Sequence, residues 1–299
     1  MICPDMHQIA VLSGVPRQSR VLLAAMTEAA VRHLVIRHDR EILISMREKG
    51  REFLPDAEHT KAELIASNLA RQYALDTAIQ DPDAIPDAME LSVQAENHYC
   101  GRLRFYCHDP ESAPEAAFQP DAYIVIVSAV APQLAMPVVQ KVLRPEHPAG
   151  VCIALFCDQK PGTAEQPEKA FRILAPELSE FLQDRACSFA FYNPCGFQKD
   201  GAICSADHAS PLGALDLFWD SVRVSSEHRC ACLMQDIQAA SAVIRRRNSV
   251  YQAPSPRRRL ELAESRHAYA QAVRALYEAQ TLLAAESGAA LTEPMEGKE

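Results

Sequence analysis

Short runs of β-branched and aromatic residues, each followed by a longer helix-like stretch, recur along the first three quarters of the chain and confine it to a sheet covered by helices. The strand-like runs are residues 8–13, 89–96, 102–107, 123–129, 151–157 and 188–192. Helix-like stretches follow at 21–37, 133–143, 166–185 and 212–222. The second and third strands are joined by "NHYCG", a hairpin-length connection with a glycine, so that pair is expected to run antiparallel. The fold class read from this order is α/β: a mostly parallel sheet of about six strands flanked by helices. A charged stretch at 37–88 separates the first strand from the second and reads as a helical insertion, closed by the Pro and Asp turn signals of "DPDAIPDAM".

Beyond residue 224 the strand signal stops. Two amphipathic segments, 227–247 and 256–286, are split by "NSVYQAPSP" and suggest a C-terminal helical hairpin over 225–287. Leu262, Tyr269, Val273, Leu276 and Leu283 fall near a 3-4 spacing, which suits a helix laid on another helix. The last residues, 288–299, are small and polar and are expected to be disordered.

Composition narrows the function classes. A chain of 299 residues with 48% hydrophobic content can bury a large core. Its formal net charge of −9 argues against general affinity for nucleic acid, which needs a broad basic surface. Ten scattered cysteines fit reduced thiols, the start "MICPDMHQIA" lacks the features of a signal peptide, and no run of eighteen apolar residues is available to span a membrane. A cytoplasmic protein is expected.

The first strand leads through "GVPRQSRV", residues 14–21, into a helix. A phosphate-binding loop, Gly-x-x-x-x-Gly-Lys-Ser/Thr, uses its glycines to wrap amides around phosphates, its lysine to neutralise them and its hydroxyl to ligate magnesium. Over residues 8–222 the order of elements resembles the core of a P-loop GTPase of the TRAFAC type, with its motifs degraded. Gly14 is present, but Ser19 stands for the second glycine, Arg20 for the lysine and Val21 for the hydroxyl. The Asp-x-x-Gly that the resemblance implies after the hairpin is matched only by Asp109-Pro110, followed by Glu111 and Ser112. The guanine-specifying Asn-Lys-x-Asp is replaced by Cys157, Asp158, Gln159 and Lys160, and the last loop by "YNPCGF".

Phosphoryl transfer rests on positioning and magnesium charge, so a chain without the hydroxyl, the lysine and the sensing glycine is expected to be catalytically inactive, with no cofactor. Residual binding of GTP or another anion is left to Gly14, Arg17, Ser19 and Arg20, through amides at the start of the helix and two guanidinium groups. The resemblance implies a pseudo-GTPase scaffold that binds a protein partner, an active GTPase of the same system among the candidates. A nucleotide-binding switch with altered chemistry and an unrelated α/β enzyme are the alternatives.

Two further groupings carry chemistry. Cys195, Cys204, His208, His228, Cys230 and Cys232 are close in sequence but lack Cys-x-x-Cys knuckles, so ordinary reduced cysteines are the expectation and no metal is assigned. Cys157 with His208 as a nucleophile and base lacks a recognisable elbow, and core packing is preferred. Arg245, Arg246 and Arg247 end one C-terminal helix, and Arg257, Arg258 and Arg259 begin the next, where the helix dipole disfavours cations. These six arginines are the expected partner-binding element.

Overall fold

The computed structural model describes residues 6–36, 47–48, 51–52, 75–85, 87–95, 98–108, 120–143, 149–157, 166–194, 198–199, 202–203, 213–248 and 256–287. The chain divides into two compact units, Met1–Ser225 and Ser226–Glu299.

The first unit is α/β. Its main sheet contains β1 (Met6–Ser13), β2 (Ala88–Ala95), β3 (His98–Cys107), β4 (Ala122–Ser128), β5 (Gly150–Phe156) and β6 (Cys187–Tyr192). The spatial order is β2-β3-β1-β4-β5-β6. Only β2 is antiparallel to its neighbour; every other pairing is parallel. The strand pattern of the sequence thus places all six strands to within a few residues. The largest difference is β3, which begins at His98 and takes in most of the "NHYCG" connection, with a register shift at Val93/Gln94 absorbing the mismatch.

Both faces of the sheet are covered, as parallel strands require. Ile9, Val11, Ile124, Ile126, Cys152 and Ala154 point to one face, where they meet Leu22, Leu23 and Met26 of α1 (Pro16–Ile36). Ala10, Leu12, Val125, Val127, Ile153 and Leu155 point to the other, under Ala135 and Val139 of α3 (Ala135–Val142) and Phe171 and Leu178 of α4 (Pro167–Leu174) and α5 (Pro176–Phe181). The helix α2 (Leu75–Gln80) and a 3-10 turn at Pro82–Ala84 precede β2.

Several helix bounds differ from the sequence expectation, each for a local reason. The stretch 166–185 is two helices, because Pro176 cannot continue the ladder and Ala175 before it leaves the helical region at φ −132° and ψ 63°. The stretches 212–222 and 227–247 are one helix instead, α6 (Ala214–Asn248), since residues 223–226 contain neither glycine nor proline to end it. The 37–88 insertion yields, among the described residues, a two-residue antiparallel ladder of Arg47–Glu48 with Arg51–Glu52, then α2 and the 3-10 turn; β2 already begins at Ala88.

The start of α6 is fixed in the first unit. Gly213 precedes it at φ +72°, and its carbonyl accepts the amide of Leu217 at 2.9 Å. Phe218 stacks on Phe105 with ring centroids 5.1 Å apart. The buried His7 Nδ1 lies 3.0 Å from the Ser225 hydroxyl, linking β1 to the same helix.

The second unit holds the remainder of α6 and α7 (Pro256–Ser287). Among the described side chains of α7 the buried ones are Ala272 and Ala279, seven residues apart, while Tyr269 and Val273 of the expected apolar stripe are exposed. Leu283 falls outside the residues whose side chains are described, and so does the tail 288–299. No helix among the described residues is long and apolar enough to cross a membrane.

Candidate functional site

In open α/β sheets ligands bind outside the carboxyl ends of the strands, where successive connections leave toward opposite faces. Here that point lies between β1 and β4. The helix after β1 covers one face and the helix after β4 covers the other. The turn after β1 is therefore where a phosphate would sit.

That turn is short. α1 begins at Pro16, so only Gly14 and Val15 separate it from β1. Proline at the first helical position has no amide to leave unsatisfied and brings a φ suited to the helix. The Ser13 hydroxyl accepts the Val15 amide at 3.0 Å and donates to Gln18 Oε1 at 3.1 Å, while the Gln18 amide donates to the Val15 carbonyl at 2.9 Å. These bonds tie the turn to itself.

The expected helix start at residue 21 is thus corrected by five residues, and this changes what the proposed binding residues offer. Ser19 and Arg20 are the fourth and fifth residues of α1, so the Arg20 amide lies beyond the four open amides of a helix start and belongs to the helical ladder, and Ser19 is the last of those four positions. Ser19 is buried and Arg17 is exposed. The Arg20 guanidinium is engaged elsewhere: NH1 meets Asp83 Oδ1 at 2.7 Å, and NH2 and Nε meet Asp87 Oδ1 at 2.8 and 2.9 Å. Val21, in the magnesium-hydroxyl position, packs against the core.

Gly14 is explained by a contact. A Cβ there would lie 2.4 Å from the Leu134 carbonyl oxygen and 2.7 Å from its carbon, so the 3-10 turn Pro132–Leu134 after β4 presses directly on the glycine backbone. Of the side chains exposed on these two turns, three are apolar, with Val15 37% exposed, Leu134 44% and Val130 81%, and Arg17 and Gln133 are polar.

The neighbouring strand ends are tied in the same way. The Ser128 hydroxyl accepts the Val130 amide at 3.3 Å, and Asn193 Nδ2 donates to the Cys157 carbonyl at 2.7 Å. The Cys107 thiol at the end of β3 is pushed up to about 12 by burial and by the Asp87 carboxylate, against a smaller opposing effect of Arg20. Burial likewise raises the Cys152 thiol to about 12. Both thiols are therefore held protonated, the opposite of what a nucleophile needs.

No protein-family model and no curated protein matches the sequence. Its chemistry must be argued from its own residues.

Asp109, Pro110, Glu111 and Ser112, the sequence Asp158-Gln159-Lys160, and Cys195, Cys204 and His208 lie outside the described residues. So do the side chains of Arg247 and Arg258. Arg245, Arg246, Arg257 and Arg259 are exposed, and Arg257 Nε lies 3.4 Å from Glu261 Oε1, one helical turn along. Sequence reasoning missed the Arg20 partners, which are 63 and 67 residues away in the chain. It also passed over the i, i+4 spacing of His228 and Cys232, whose Nε2 and Sγ are 3.5 Å apart.

Proposed function

We propose that the chain is a cytoplasmic, catalytically inactive GTPase-like scaffold that binds a protein partner, an active GTPase of the same system being the favoured one. The observation that carries this reading is the closure of the crevice between β1 and β4 by the chain itself, with the Leu134 backbone against Gly14. The sheet order and the position of that crevice support a P-loop-like ancestry. The three chemical groups that hydrolysis would need are each diverted: the amide at Arg20 into a helix, the cation at Arg20 onto two carboxylates, and the hydroxyl position to a valine packed on the core. A fold that keeps the scaffold and seals the crevice is suited to presenting surfaces.

Two surfaces serve a partner in this reading. The apolar rim of Val15, Val130 and Leu134 offers area to bury. The arginines at 245–247 and 257–259, in a chain of net charge −9, offer a basic element to an acidic protein surface. The ion pair of Arg257 with Glu261 is exposed and is worth little by itself, so it leaves the guanidinium available to a stronger partner.

Replacing Arg257, Arg258 and Arg259 together by glutamate is expected to abolish retention of the partner protein when the chain is purified from its own host. Retention by the unchanged chain should fall steeply with added salt. Circular dichroism of the triple variant should keep its helical signal. Retention of the partner by the charge-reversed chain at low salt contradicts the assignment of these arginines, and unfolding of the variant assigns them to internal pairing instead.

A further inference from the structure

We propose that His228 and Cys232 form a bidentate zinc site on the outer part of α6. The two residues are one helical turn apart and so share a face of the helix. Their nearest ligand atoms, Nε2 and Sγ, are 3.5 Å apart, and Nδ1 is farther at 4.0 Å. Tetrahedral zinc has Zn–S near 2.3 Å and Zn–N near 2.0 Å, which puts the two ligand atoms about 3.5 Å from each other. The pair therefore already holds the separation that one ion imposes, with Nε2 as the ligating nitrogen.

Both side chains are half-buried. Thiolate and imidazole together select a borderline-soft divalent ion over magnesium or calcium. Binding exchanges bonds simply: the Cys232 thiol gives its proton to solvent, the sulfur and Nε2 lone pairs form bonds to the ion, and the ion sheds about four of its roughly six waters as it becomes tetrahedral. Cys230 is two residues from Cys232, roughly 200° around the helix, and does not join. Asp236 lies two turns beyond His228, about 12 Å along the axis, too far to complete the same ion. Among the described residues no third His, Cys, Asp or Glu groups with the pair. The remaining positions belong to water or to the same pair from a second copy.

Cobalt(II) added to the reduced full-length chain is the direct probe, since a thiolate ligand gives a charge-transfer absorption that zinc then abolishes. The expected result is a band present in the unchanged protein and in Cys230→Ser, and lost in Cys232→Ser and His228→Ala with helicity preserved. His228→Cys, which supplies another soft ligand at the same spacing, should restore it. A protein with no such band, or one undiminished in Cys232→Ser, overturns the site. Alkylation of the unchanged protein, mapped by peptide mass, gives a reading that needs no variant. Zinc should slow labelling of Cys232 at least tenfold, and equal labelling with and without zinc overturns the proposal. One ion per chain or one per two chains, weighed by native mass spectrometry, both uphold the pair and tell water from a second copy in the open positions.

Discussion

Gly213→Ala is expected to lower the thermal midpoint of the protein by on the order of 10 °C, a larger effect than any surface substitution. Two costs combine at this residue. Its φ of +72° lies in the left-handed region, where a Cβ costs about 1–2 kcal/mol. That Cβ would also sit 1.8 Å from the Phe191 carbonyl oxygen, a backbone atom at the end of β6 that cannot rotate away. Relieving the overlap must shift either β6 or the start of α6, and forced shifts of this kind cost roughly 1–3 kcal/mol more. The start of α6 carries Ala214, Leu217 and Phe218 into the core, so the disturbance spreads to the face of the sheet that α1 also covers. Differential scanning calorimetry of the variant tests this. Gly213→Asn separates the two costs, because asparagine tolerates the left-handed region but still brings a Cβ: it should recover only part of the loss. An unchanged midpoint in Gly213→Ala contradicts the geometry of the α6 start.

Gly14→Ala is expected to have the second largest effect, about 1–3 kcal/mol of destabilisation, and its cause is different. Gly14 has no left-handed φ, so the backbone itself accepts alanine. The cost arises only from the Leu134 backbone, 2.4 Å from the new methyl carbon. If the turn after β1 were an open anion-binding loop, alanine would meet nothing and the change would be nearly neutral. The stability difference between Gly14→Ala and the unchanged chain, measured by urea denaturation with a constant slope, therefore reads directly whether the crevice is closed.

The sheet was legible because its signal is local: apolar runs such as "YIVIVS" and "VCIALF" mark strands buried on both faces, and the turns between elements are written in Gly, Pro and Asp. The long helical stretches were legible as helix but not in their bounds, where a single residue decides. Pro176 splits one stretch, and the absence of any breaker at 223–226 fuses two others. The candidate site was legible in place but not in form. Reading residues 14–21 against a phosphate-loop template makes 15–20 a loop, whereas Pro16 and the Ser13–Gln18 pairing are helix-start chemistry and put these residues on α1. What closes the site comes from far away in the chain. Leu134 on Gly14, and Asp83 and Asp87 on Arg20, are tertiary contacts that no local pattern encodes. The His228–Cys232 pair failed to register for another reason: a search for Cys-x-x-Cys knuckles does not score a His and a Cys one helical turn apart, although that spacing brings their ligand atoms together.

The central claim is that the crevice between β1 and β4 is sealed and without turnover. It is tested most directly by following phosphate release from GTP by the purified chain, with and without magnesium, beside a titration of the nucleotide by calorimetry. The account predicts no magnesium-dependent heat of binding and no release above the protein-free rate, in the unchanged chain and in Arg20→Ala alike. Magnesium-dependent binding or turnover that disappears in Arg20→Ala would contradict it, since it would place the guanidinium on a phosphate instead of on Asp83 and Asp87.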